Sequence, residues 1–129
     1  MPLFPTPDSA GRSGLLGLCR AFEASLSAFE TVATLREEAR LRHLLVARRR
    51  AVARLRRLLG LRGPVARRPP SEAWTLGGII AAEWELAHLV VATASALPDD
   101  DPARGLLADL QAEVEEAALT LRVIARAGG

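Results

Sequence analysis

Apolar residues return at steps of three and four along most of this chain, the spacing that places them on one face of an α-helix. Leu15, Leu18, Cys19, Phe22, Leu26, Phe29 and Val32 form one such stripe, and Leu41, Leu44, Leu45, Val52, Leu55, Leu58 and Leu59 form the next. Ala103, Leu106, Leu107, Leu110, Val114, Ala117, Leu121 and Ile124 form another near the end. Half of the 129 residues are apolar, but only five are aromatic and none is Tyr, which suits helix-on-helix packing better than a sheet. A chain of this length buries a core without disulfides or a structural metal.

Start and stop signals divide the pattern. A first helix is expected over residues 13–33, and Thr34 followed by Glu37 has the form of a capping box that opens a second helix at Leu35. Gly60 is a helix stop after Leu59, and Gly63, Pro64, Pro69 and Pro70 mark a linker. Ser71 and Glu72 open a third helix that reaches Leu97 before Pro98. Asp99 to Asp101 and then Pro102 favour the start of a fourth, ending at Ala127, because carboxylates and a missing N–H suit a helix N-terminus. The resulting expectation is all-α, an up-down-up-down four-helix bundle in one domain over 13–127, preceded by a flexible, Pro-rich N-terminal arm, 1–12.

The net charge of +2 conceals a segregation: Arg36 to Arg68 carries twelve Arg against two Glu, a balance of +10, and the chain from Ser71 onward stands at −7. Basic and acidic helices then neutralise each other within the bundle or in a self-assembled dimer, and nucleic acid or a membrane surface is the less favoured partner for the Arg-rich second helix. No aromatic side chain is interleaved with those Arg for base stacking. Every basic residue is Arg and none is Lys, which reads as the coding bias of a GC-rich bacterium. A single cysteine excludes an internal disulfide and a Cys-based zinc motif, and points to a reducing, cytoplasmic setting. Pro2, Pro5 and Pro7 stand where a signal peptide would have its apolar run, and no uninterrupted apolar stretch reaches the ~18 residues of a membrane span.

Three charges fall on or near apolar faces: Glu37 and Arg48 in the second helix and Glu83 in the third. If the third helix folds back antiparallel on the second, Leu59 stands level with Glu72, Arg48 with Glu83 and His43 with His88. A structural ion pair between Arg48 and Glu83 is expected, because an unpaired charge in the core is costly. Glu85-Leu-Ala-His88 has the Glu-x-x-His spacing of carboxylate-bridged di-iron bundles. Di-iron or another divalent metal, with Glu30, Glu37, Glu83, Glu85 and His88 as candidate ligands, is therefore an alternative to a protein without cofactor. Against it, the second helix offers Arg40-Leu-Arg42-His43 where the matching motif would stand, and the helical wheel turns Glu85 and His43 outward. Glu23 and Glu30 occupy flank positions expected to be solvated, and Cys19 lies on an apolar stripe as an inert thiol. Gly77-Gly78 reads as a close-packing spot in the third helix, since no strand precedes it to make a phosphate loop.

The segment Thr75-Leu76-Gly77-Gly78-Ile79-Ile80-Ala81-Ala82-Glu83-Trp84, the ending Leu58-Leu59-Gly60, and Leu106-Leu107 with the later Glu115-Glu116-Ala117-Ala118-Leu119 carry a resemblance. Over roughly residues 15–125 the chain resembles an uncharacterised bacterial family of ferritin-like four-helix-bundle proteins. The resemblance implies the ferritin-like fold and no activity. Ala81 and Ala82 stand where that pattern often has a His before the Trp. Leu89, Leu119 and Val123 fall away from the core face, so the sequence is read as a non-enzymatic bundle that acts through protein contacts, as a homo-oligomer or with a protein partner.

Overall fold

The computed structural model describes residues 7–65 and 75–127, with side chains from residue 11 onward. They form four helices: α1 (Pro7–Leu35), α2 (Ala39–Leu59), α3 (Leu76–Ser95) and α4 (Ala103–Ala127). No strand occurs among the described residues. The first helix begins at Pro7, six residues before the expected start. Proline is well suited to a first helical position, where its fixed φ is already helical and its missing N–H is not needed. The remainder of the expected arm, and the Ser71–Glu72 start, lie outside the described residues.

Local chemistry sets the helix ends. Thr34 does not open α2; its hydroxyl donates to the Glu30 carbonyl at 2.8 Å, and α1 continues to Leu35. A Thr inside a helix commonly bonds back to position i−4, which removes it as a cap. Glu38 takes that place, its carboxylate accepting from the Arg40 N–H. Gly60 closes α2 in the left-handed region at φ 67, with its N–H on Arg57 O and the Leu61 N–H on Arg56 O, a Schellman ending. Thr75 caps α3 through Gly78 N–H at 3.0 Å, and Asp101 accepts from Ala103 N–H at 2.8 Å as α4 begins.

The helices do not alternate up and down. Arg12 of α1 bonds to Leu59 O of α2, and a Cβ on Gly11 would lie 3.0 Å from Leu97, just beyond the end of α3. One end of the bundle therefore gathers the start of α1, the ends of α2 and α3, and the start of α4, where Leu15, Leu59, Leu97 and Ala103 share one apolar cluster. The other end gathers Val32, Leu41, Ile79 and Ile124 in a second cluster. Thus α1 and α4 run one way and α2 and α3 the other. Each of α1 and α4 packs against both α2 and α3, and the like-directed pairs lie across the diagonals. Gly60 and Thr75 stand at opposite ends of the bundle.

The topology is open to a direct check. Gly14→Cys with Thr93→Cys, in a Cys19→Ala background, should close a disulfide under mild oxidation, because a Cβ on Gly14 lies 3.8 Å from the Thr93 methyl. Gly14→Cys with Gly77→Cys should stay open. Failure of the Gly14→Cys and Thr93→Cys pair to close on a non-reducing gel removes the antiparallel contact of α1 with α3.

Candidate functional site

Between the two apolar clusters lies a polar layer. Going along each helix, the clusters give way one to the other just past Ser25 on α1, between Leu26 and Ala28, and at Arg48 on α2, Glu83 on α3, and Ala117 and Ala118 on α4. Arg48 and Glu83 are buried to 4% and 1% exposure, the only strongly buried ion pair among the described residues. Arg48 Nη1 donates to Glu83 Oε1 at 2.7 Å and Nη2 donates to Oε2 at 2.5 Å, a two-pronged bond that matches fork to carboxylate. The Ser25 hydroxyl accepts from Arg48 Nη1 and donates to Glu83 Oε1 at 3.2 Å. Phe22 and Phe29 place their rings 5.2 and 5.0 Å from the guanidinium carbon, so its faces are shielded by π systems that attract a cation.

The structure brings Arg48 and Glu83 together, but not by the antiparallel level rule. α2 and α3 run parallel across a diagonal, so the pair bridges the middle of the bundle. The same rule fails for His43 and His88, which are both exposed on helices that do not adjoin. The metal candidates scatter. Glu37 is exposed in the turn between α1 and α2, Glu85 and His88 are exposed on α3, and Glu30 is half-buried on α1. Glu83 alone of that set reaches the centre, where its carboxylate is held by Arg48. No grouping of three His, Cys, Asp or Glu side chains suited to a metal ion occurs among the described residues.

A second polar cluster lies nearer the Gly60 end. Glu23, expected on a solvated flank, is buried, 3.7 Å from Arg56 Nη1, and accepts from the Cys19 thiol at 3.5 Å. Arg56 Nη2 also donates to Gly63 O at 2.7 Å, fastening the chain after α2 to α1. Burial pushes the Cys19 thiol up to about 11, and its bond to the Glu23 carboxylate adds to the rise. Sequence reasoning missed Ser25, the two flanking rings and this cluster. The available signal was the seven-residue spacing of Phe22 and Phe29, which puts both rings on one face with Ser25 between them.

Of the two glycines expected to allow close packing, only Gly78 has a tight neighbour, the capping Thr75, whose Oγ1 would lie 3.2 Å from an added Cβ. Both are exposed, and a Cβ on Gly77 would meet nothing within 4 Å. Leu89, Leu119 and Val123 are exposed at 39%, 54% and 53%. α3 is long and apolar enough, by length and composition, to cross a bilayer, with a mean hydropathy of 1.3, and only 33% of its apolar window is buried in the bundle. Comparison with protein-family models, with curated protein sequences and with solved structures finds no match to this chain.

Two outcomes follow from the buried groups. Glu83→Gln or Arg48→Met alone should cost about 3–5 kcal/mol in urea unfolding, since each strands a buried charge or its partner, whereas Arg48→Met with Glu83→Leu should lie much closer to the parent. Equal costs for single and double variants would remove the pair from the core's energetics. Cys19 should react with a disulfide reagent at pH 8 at least ~100-fold more slowly in the native protein than in denaturant, because the thiol is both buried and protonated there.

Proposed function

We propose that this chain is a ferritin-like bundle that works without catalysis, in the cytoplasm, through protein contacts and above all through self-association. The observation that carries the reading is the apolar surface left outside the core: α3 is the most apolar helix of the bundle, yet most of it is unburied, and Leu119 and Val123 on α4 add to the same exposure. Contiguous exposed apolar surface on a small domain marks a contact site.

The ferritin-like assignment is supported by two helical hairpins packed with α2 and α3 parallel across a diagonal, the arrangement in which carboxylate-bridged metal centres occupy the bundle core. In this chain a guanidinium stands in the middle of that core. Its positive charge opposes a cation, and its carboxylate partner has both oxygens engaged. Metal handling through Glu83 would require Arg48 to leave.

A second reading, binding of a polyanion, is favoured by one observation: Arg42, Arg49, Arg50 and Arg57 are exposed on α2 and form no ion pair among the described residues.

One preparation tests both. Protein loaded with iron, manganese and zinc is passed over a sizing column with light scattering and analysed for metal, then titrated with a labelled oligonucleotide at increasing salt. A defined oligomer with little metal and weak oligonucleotide binding is expected. Near-stoichiometric metal overturns the proposal in favour of the carboxylates, and tight binding that falls steeply with salt overturns it in favour of the Arg face.

A further inference from the structure

The exposed surfaces of α3 and α4 are graded by size in opposite senses. Along α3, the face shared with α4 begins small, with Gly77 and Ala81, and carries the larger Val91, while Leu89, two residues earlier, points about 200° away from Val91. Along α4, the exposed residues begin small, with Gly105, Ala108 and Ala112, and become large at Leu119 and Val123. α3 and α4 form an antiparallel hairpin through Pro98. Counting equally back and forward from its turn, Ala81 stands level with Leu119, Gly77 with Val123, and Val91 with the neighbourhood of Ala108. Small residues on each helix are therefore beside large ones on the other.

This pattern has a self-complementary partner. A two-fold axis parallel to the bundle and lying in this face carries α3 of one copy over α4 of the other without changing level. Leu119 and Val123 of each copy then enter the hollow at Ala81 and Gly77 of its mate, and Val91 meets Ala108. The open space beside Gly77, where a Cβ would touch nothing, is space for a neighbouring chain. Charge does not carry the contact: Glu115 on α4 of the mate lies level with Glu85 and within a turn of His88, and Arg122 and Arg126 flank Leu119 and Val123. Two helices about 30 Å long and about 10 Å wide offer on the order of 600 Å² a side. Doubled, that reaches the lower end of specific protein interfaces, about 1,200 Å².

We infer that the partner for this surface is a second copy of the same chain, joined α3 to α4 by seating Leu119 over Ala81. The inference rests on the self-association reading and specifies its geometry.

Sedimentation velocity on the full chain, over about 1–500 µM, a range that brackets micromolar dissociation constants, tests it with four variants. Leu119→Glu and Ala81→Leu should each weaken the dimer at least ~10-fold, by a stranded charge and by overpacking. Ala81→Leu combined with Leu119→Ala exchanges knob and hollow and should recover most of the affinity. Val46→Glu, exposed on α2 away from this face, should leave the dimer intact, with helical content checked throughout by circular dichroism. A parent chain that stays monomeric sinks both the self-association reading and this interface. A dimer indifferent to Leu119→Glu and Ala81→Leu sinks only the interface, and self-association through another face then stands.

Discussion

A guanidinium and a carboxylate in the middle of an apolar bundle set terms for everything around them. Separately, each charge would lose several kcal/mol of hydration on burial. Together they recover much of that, but only with the fork of Arg48 square to the carboxylate of Glu83. The surroundings are arranged to hold that geometry. Ser25 bonds to both, Phe22 and Phe29 close over the guanidinium, and α4 contributes only Ala117 and Ala118 at this layer. An apolar pair at these positions would fit several axial offsets of α2 against α3. A slip of one residue along either helix turns its charge about 100° away from the other, so the pair admits one register.

The crossed topology explains how so segregated a chain avoids self-repulsion. α2 has no acidic residue between Ala39 and Leu59, so its Arg side chains depend on neighbouring helices for compensation. Because α2 adjoins α1 and α4, Arg56 reaches Glu23 and Arg54 reaches Asp109 and Glu113. In an alternating bundle α2 would adjoin α3, whose only acidic residues are Glu83 and Glu85. The observed order also leaves every adjacent pair antiparallel, so that helix dipoles oppose one another at each contact.

The apolar stripes, the Gly60 stop and the Asp101 start were legible because each depends on chemistry within a few residues. Thr34 misled because a hydroxyl has two local options, a cap or a bond back to the i−4 carbonyl, and residue type does not choose between them. The direction of α3 was not legible, since it depends on the path of the chain between Gly60 and Thr75. Arg48 and Glu83 could nevertheless be matched by an incorrect rule. Arg48 lies near the middle of α2, and reversing a helix about its middle leaves central residues level while displacing the others. His43 and His88 lie away from that centre, so the same reversal separates them. Glu23 was misplaced because its burial comes from Arg56, a contact between helices that a single helical wheel cannot contain.

The contrast between α2 and α3 also bears on how such a bundle can associate. Both helices come from one Ala- and Leu-rich chain, so composition alone does not explain why α2 turns Arg42, Arg49, Arg50 and Arg57 outward while α3 turns out Gly77, Ala81, Ala92 and Val91. Their diagonal placement puts these faces on opposite edges of the molecule. One edge is therefore strongly cationic and the other apolar. Two copies meeting at the apolar edge keep their cationic edges far apart and in water, whereas stacking that brought further copies together through those edges would oppose like charges. For the proposed dimer, a surface polarised in this way would favour closure at two copies over continued growth. What produces it is the placement of α3 diagonal to α2, with α1 and α4 between them.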